Sequence, residues 1–129
     1  MNIEQEKTEW HAFNQETIDA LAADGSQMDA TYTVEHHFAC ANFDDLEKAA
    51  VDVFKAGFEV SDAEELVLDD GQTVFCFDAV IERPMERSSL DKDTDTLVQL
   101  AAKHKVHYDG WGTYYIGDDA IVDEDDFDA

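Results

Sequence analysis

The sequence has 129 residues, 44% of them hydrophobic, which is enough for one domain with a core and excludes a wholly disordered acidic chain. Its 32 acidic side chains outnumber 8 basic ones and give a formal net charge of −24. Because proteins bind the phosphate backbone mainly through Lys and Arg, this charge argues against direct nucleic-acid binding. A protein partner, if there is one, is expected to be positively charged; the alternative is that the acidity only confers solubility.

Residues 3–23 carry the first predicted element, a helix that precedes everything else. Apolar residues recur along one side of it while glutamates and aspartates occupy the other, and Asp24-Gly25-Ser26 is a stop signal. The apolar positions are Trp10, Phe13, Ile18, Leu21 and Ala22. We expect this helix to be an addition to the repeating part of the fold.

The stretch from residue 31 to 60 predicts a strand, a helix and a second strand. Tyr32, Val34, His36 and Phe38 alternate as in a central strand with one buried face. A helix then follows with Asn42 or Asp44 as its cap and Gly57 at its end. Its predicted buried stripe is Leu46, Ala49, Ala50, Val53 and Phe54, and residues 58–60 begin the next strand.

A hairpin is predicted next. Residues 61–65 are polar and suggest a bulge or break, residues 66–68 resume the strand, and residues 69–72 are a tight-turn signal. Residues 73–81 are apolar on both faces, as in an interior strand, and Pro84 ends it because proline lacks the N–H that a strand ladder needs.

The last two elements are a helix and a strand. Ser88 or Ser89 is the expected start of the helix, with Asp91 completing a capping box. Its predicted buried stripe is Leu90, Thr94, Leu97, Val98 and Ala101. The final strand covers residues 106–115, where two glycines indicate a twist, a bulge or a close backbone approach.

These elements predict an α+β fold. The order strand, helix, strand, strand, helix, strand is that of a ferredoxin-like split βαβ sandwich, with four antiparallel strands and two helices on one face. We expect a single domain over residues 1–116, including the helix at 3–23. Residues 117–129 are dominated by like charges and are predicted to be an acidic disordered tail.

The sequence offers no positive evidence for catalysis, a cofactor or a metal. His36 and His37 are adjacent in a strand, so they point to opposite faces and cannot easily act on one substrate; His36 is the one expected to be buried. Asp91, Asp93 and Asp95 imitate the start of a calcium loop, but Thr96 stands where that loop needs glycine. No nucleophile elbow or phosphate-binding glycine loop is present.

Strand aromatics raise an RNA-binding alternative, because RNA-recognition sheets share this topology and stack bases on their rings. The rings in question are Phe75, Phe77, Tyr108, Trp111, Tyr114 and Tyr115. Core packing explains most of them better, since the Lys/Arg-Gly-Phe-Gly core of the RNA motif is missing. Trp111, between two glycines, is the ring that we expect to be partly exposed.

The cellular location is predicted from features that the sequence lacks. No apolar run approaches the roughly 18 residues of a membrane span, and the acidic N-terminus is unlike a secretory signal. Cys40 and Cys76 do not form a C-x-x-C pair and are expected to be buried free thiols, as in a reducing compartment. We predict a cytoplasmic protein with no membrane partner.

Five ordered stretches resemble the bacterial family called regulator of ribonuclease E activity B, over residues 18–115. They are Asp24-Gly25-Ser26, Tyr32-Thr33-Val34-Glu35-His36-His37, Leu46-Glu47-Lys48-Ala49-Ala50-Val51, Phe54-Lys55-Ala56-Gly57-Phe58-Glu59-Val60 and Tyr108-Asp109-Gly110-Trp111-Gly112-Thr113-Tyr114. The sequence departs from the family in having Gln27-Met28 where a proline is expected after Ser26, and in a shorter acidic tail.

The resemblance implies a non-catalytic inhibitor of ribonuclease E. The inhibitor would bind the unstructured scaffold region of the nuclease and change both RNA cleavage and the composition of the degradosome. Carboxylates of this protein would then pair with arginines that otherwise hold RNA. Trp111 and Tyr114 are the expected anchors, and Asp109 and His36 complete the partner-binding candidates. An RNA-binding module and an unrecognised small hydrolase remain as alternatives.

Overall fold

A computed structural model describes residues 2–113, which form three helices and an antiparallel sheet of five strands. Tyr114 and the acidic tail predicted for residues 117–129 lie outside the described residues. The elements are α1 (Ile3–Ala23), β1 (Thr31–Cys40), α2 (Phe43–Lys55), β2 (Glu59–Val60), β3 (Glu64–Val67), β4 (Thr73–Pro84), α3 (Arg87–His104) and β5 (His107–Gly112). The α+β class predicted from the sequence is confirmed.

The sheet has the strand order β2-β4-β1-β5, and β3 also pairs with β4. Four strands were predicted, but the second of them is divided into β2 and β3. The reason lies at Ser61, whose N–H donates to the Asp78 carbonyl at 2.9 Å and whose hydroxyl accepts from the Asp78 N–H at 2.8 Å. A side chain thus replaces the strand ladder at this point, and the chain leaves the sheet until Glu64.

The central strand β1 buries one face against the helices, as its alternation predicts. Tyr32, Val34, His36 and Phe38 are all fully buried, and they lie opposite residues of β4 such as Phe77 and Ala79. Leu46 and Val53 of α2 and Leu97 of α3 complete the larger part of the core. The opposite side of the sheet carries no helix in the described chain, and we call it the open face.

Helix α2 follows its prediction at both ends but not along its whole stripe. The Asn42 side chain accepts a hydrogen bond from the Asp45 N–H at 3.0 Å, and Gly57 takes the left-handed conformation with φ of +107°. Leu46, Ala49 and Val53 are buried. Phe54, which the spacing placed among them, is 65% exposed.

Helix α3 begins earlier than predicted. It starts at Arg87 with Glu86 as its N-cap residue, and no side chain caps it, so the capping box at Ser88 is wrong. Strand β4 continues to Pro84 and Met85 is buried, which places the strand-to-helix turn before the two serines. The predicted buried stripe from Leu90 to Ala101 is correct, and the structure adds Asp93 to it.

Two further observations concern membrane-spanning helices and the two cysteines. Within residues 2–113, no helix is both long and apolar enough to cross a bilayer. Cys40 and Cys76 are free thiols, as predicted, but both are partly exposed where burial was predicted. They cannot pair within this sheet, because Cys76 lies opposite Ala39 and therefore on the other face from Cys40.

Candidate partner-binding site

Trp111 is a core residue, and its predicted exposure is wrong. Its side chain is 5% exposed, and its indole N–H donates to the Asn14 side-chain oxygen at 2.6 Å. The ring also packs edge-on against Phe13, with 5.8 Å between ring centroids. Helix α1, which the sequence analysis treated as an addition, covers this side of β5.

Asn14 is the centre of a polar network that the sequence analysis missed. It is the one fully buried residue of α1. Besides accepting from Trp111, its amide donates to the Asp91 carboxylate at 2.9 Å and to the Thr94 hydroxyl at 3.2 Å. The signal in the sequence was its place midway between Trp10 and Ile18, four residues from each on the apolar side of the helix.

His36 is fully buried, as predicted, and therefore does not offer a surface to a partner in this fold. Its Nδ1 hydrogen-bonds the Tyr108 hydroxyl at 2.8 Å, while its Nε2 has no partner among residues 2–113. Burial lowers the pKa of His36 from 6.5 to about 3, with smaller repulsive contributions from His37 and Arg83. The imidazole is thus neutral and structural.

Two other histidines, His37 and His104, contact carboxylates. His37 lies on the open face, away from His36, and contacts the Asp78 carboxylate at 2.8 Å. His104 joins α3 to α2 through Asp52 at 2.7 Å, and hydrogen bonds from His104 and Lys103 lower the pKa of that carboxyl group. A lowered pKa keeps Asp52 ionised, which suits a helix-to-helix salt bridge and not a general acid.

The aspartates that imitate a calcium loop lie within α3 and have protein partners. Asp91 contacts Arg87 and Asn14, Asp93 forms a two-point ion pair with Arg83 at 2.8 and 3.3 Å, and Asp95 contacts His11. The hydrogen bond to Asp93 raises the pKa of Arg83. No group of three or more His, Cys, Asp or Glu residues in the described part of the chain has the geometry of a metal site.

The open face lacks the rings that an RNA-recognition sheet would need. Phe77 and Tyr108 lie opposite Phe38, and Trp111 lies opposite His36, so all three rings are on the helix side. Residues directly opposite each other share a face, which puts Glu35, His37, Asp78, Val80, Glu82 and Glu59 on the open side. Within residues 2–113 this face is acidic and carries no Phe, Tyr or Trp ring, and it does not support RNA stacking.

A groove between α1 and β5 is the best-formed concave surface near the predicted site. It has a volume of about 380 Å³ and is lined by Glu6, Glu9, Trp10, Phe13, His107, Tyr108 and Asp109. Asp109 is exposed and, among the predicted partner-binding residues within 2–113, is the one that lines the groove. We call this surface the α1–β5 groove.

Gly110 positions the aromatic part of the groove. Its φ is +99°, and a Cβ built on it would lie 3.0 Å from the Trp10 ring, so the indole lies directly on the strand backbone. The close approach predicted for the glycines of β5 is confirmed here. Trp10 then meets Tyr108 and Phe13 edge-on at centroid distances of 5.0 and 5.2 Å.

Substituting Gly110→Ala should therefore displace Trp10 and destabilise the fold. The left-handed backbone alone costs about 1 kcal/mol for a residue with a Cβ, and the contact with Trp10 should bring the loss to about 2–3 kcal/mol. Gly71→Ala is the matched control, because φ at Gly71 is +87° and nothing lies within 4 Å of a Cβ there. Chemical denaturation of both variants tests this, and equal losses would contradict the close contact.

The chemistry of the α1–β5 groove combines aromatic surface with negative charge. Glu6 and Glu9 stand on the α1 side and Asp109 on the β5 side, and His107 contacts Asp109 at 3.4 Å. No serine, cysteine or threonine is among the described residues that line the groove. Such a surface can bind a cationic group and its hydrocarbon stem.

Comparisons with known proteins agree with one another. A model of the family described as Regulator of ribonuclease activity B matches residues 11–113. A protein of that name from Alteromonas mediterranea is 67% identical over 115 residues, covering 89% of this chain and 87% of its own length. Proteins of the same name from Shewanella denitrificans and Pseudoalteromonas atlantica are 53% and 58% identical, covering 98% and 87% of this chain and 96% of their own lengths in both cases.

Proposed function

This chain belongs to the Regulator of ribonuclease activity B family, and on that premise we propose that it binds ribonuclease E and restrains its cleavage of RNA without catalysing a reaction itself. We place the contact on the unstructured, basic scaffold region of the nuclease. Binding there would also alter which proteins join the degradosome. A role in regulating a ribonuclease is what the family name supports.

The observation that carries this proposal is the uncompensated negative charge of the surface. Both arginines of the chain are held by α3, Arg83 by Asp93 and Arg87 by Asp91. Lys7 and Lys103 are also paired with carboxylates. With a net charge of −24, many carboxylates remain for a partner, and Arg–carboxylate pairs can replace the Arg–phosphate pairs that hold RNA.

Two finer features belong to the same proposal. We infer a ferredoxin-like sandwich, which the strand order β2-β4-β1-β5 and the connections through α2 and α3 support. We also infer a cytoplasmic location, supported by the free thiols of Cys40 and Cys76. Ribonuclease E would be met in that compartment.

Co-purification with two forms of the nuclease tests the proposal. We expect the chain to associate with full-length ribonuclease E and to slow its cleavage of RNA, and to do neither when the scaffold region is deleted. Because the attraction is electrostatic, affinity should fall by about tenfold or more between low and physiological salt.

Four outcomes would contradict the proposal. Affinity that does not change with salt would show that the contact is not electrostatic. Inhibition of the scaffold-free nuclease would show that the binding site lies in the catalytic part of the enzyme. A gel shift with RNA alone, or turnover of a substrate by the purified chain, would instead favour the RNA-binding or hydrolase alternative.

A further inference from the structure

We propose that the α1–β5 groove is an arginine pocket, which takes one arginine side chain of a cationic, extended peptide segment. This inference rests on the proposed function, since it names the surface and the side chain through which a basic partner would be held. The observation behind it is the placement of three carboxylates around a partly exposed tryptophan.

The floor of the groove is suited to the flat, weakly hydrated guanidinium group. Trp10 is partly exposed, and its edge-on contacts with Phe13 and Tyr108 give the floor a fixed, apolar surface. Tryptophan is the best aromatic partner for a cation. The guanidinium group both stacks on aromatic rings and makes cation–π interactions with them. The methylene stem of arginine would cover the neighbouring apolar surface.

The rim provides the charge. Glu6 and Glu9 are separated by one helical turn on α1, and Asp109 faces them from β5. No Lys or Arg is among the residues that line the groove, so within the described chain these carboxylates have no strong cation beside them there. A guanidinium placed between them could donate to two carboxylates at once, which an ammonium cannot do with the same geometry.

The groove is already formed before a partner arrives. Helix α1 is fixed on β5 and α3 by the bonds of Asn14 to Trp111, Asp91 and Thr94, and Gly110 sets the position of Trp10. A preformed site loses little conformational entropy on binding. A second copy of this chain is a poor occupant, because it would bring another charge of −24 to an acidic surface.

A second acidic hollow gives a matched control. Asp44 and Glu47, with Lys48 and Val51, line a hollow of about 310 Å³ on α2 that contains no aromatic residue. The test variant is Glu9→Gln with Asp109→Asn, and the control is Asp44→Asn with Glu47→Gln. All four carboxylates are exposed, and each double variant removes the same amount of charge.

The probe is a short synthetic peptide of alternating arginine and serine, with a lysine–serine peptide for comparison, titrated at physiological salt. We expect the groove variant to bind the arginine peptide about tenfold more weakly than the wild type, and the α2 variant to change by less than about twofold. The lysine peptide should bind the wild type more weakly than the arginine peptide does.

Nuclear magnetic resonance provides a second measurement, which a general change in surface charge would not affect. The chain has two tryptophans. The indole N–H signal of Trp10 should shift when the arginine peptide binds, while that of buried Trp111 should stay in place. Equal weakening of both double variants, or an unmoved Trp10 signal, would overturn the arginine pocket.

The same variants separate this inference from the proposed function. If the groove variant associates with ribonuclease E as tightly as the wild type does, the pocket is wrong and the proposed function stands. If the wild type does not associate with the nuclease at all, the proposed function is wrong, whatever the peptide titration shows.

Discussion

Acidification from pH 7 to pH 4 should remove about 3 kcal/mol more of the free energy of unfolding from the wild-type chain than from a His36→Phe variant. Burial lowers the pKa of His36 from 6.5 to about 3. Between these values the unfolded chain binds a proton at this residue and the folded chain does not. Stability therefore falls as the pH is lowered through this range, and substitution by an unprotonatable ring removes that part of the loss.

The comparison between variants is essential, because the many carboxylates also change the stability as they are protonated. His107→Gln is the control: the His107 side chain is 71% exposed, so its removal should leave the wild-type pH profile intact. The signals of the His36 ring should also stay those of a neutral imidazole at pH 5. Protonation of that ring near its ordinary pKa, in the folded protein, would contradict the burial effect.

Asn14→Ala should destabilise the fold by about 3 kcal/mol, although asparagine is a polar residue of a surface helix. The substitution leaves a small cavity and removes the acceptor for the Trp111 indole N–H, which is buried away from water. Asp91 loses one donor but keeps Arg87 at 3.2 Å. Chemical denaturation measures the loss.

Gln15→Ala is the control for this prediction, because Gln15 is the next residue of α1 and its side chain makes only exposed hydrogen bonds, with Asp19 at 2.8 Å and with Arg87 at 3.5 Å. The Gln15→Ala substitution should lower the free energy of unfolding by less than about 0.5 kcal/mol. A double-mutant cycle of Asn14→Ala with Trp111→Phe should give a coupling energy of about 1–2 kcal/mol. Strictly additive effects would show that the 2.6 Å contact contributes nothing to stability.

The parts of the fold that depend on local pattern could be predicted from the sequence. Alternation in β1 identified its buried face, including His36, and helical spacing identified most of the buried stripes of α2 and α3. These signals are local because the side-chain period of a strand or a helix is set by the backbone. Helical spacing also predicted, wrongly, that Phe54 is buried. Spacing alone does not say how much of the helix surface the sheet and the neighbouring helix cover.

The errors at the site have a non-local cause. Nothing near Trp111 in the sequence shows that α1 lies over it, and two flanking glycines suggested exposure. Trp111 is buried by Asn14 and Phe13, which come about a hundred residues earlier. Asp109 was chosen beside Trp111 and does line the groove, but Glu6, Glu9 and Trp10 could not be joined to it without the structure.

The contact of α1 with β5 also constrains how the protein can be made. Synthesis proceeds from the N-terminus, so α1 leaves the ribosome before β5, on which it finds its buried partners. Most of the stability of a helix in a protein comes from tertiary packing and not from intrinsic propensity, so α1 lacks part of its stabilisation until β5 is present. The nascent chain thus presents Trp10 and its neighbours to solvent and to chaperones until residue 111 has emerged, and the native packing of α1 can be completed only after that point.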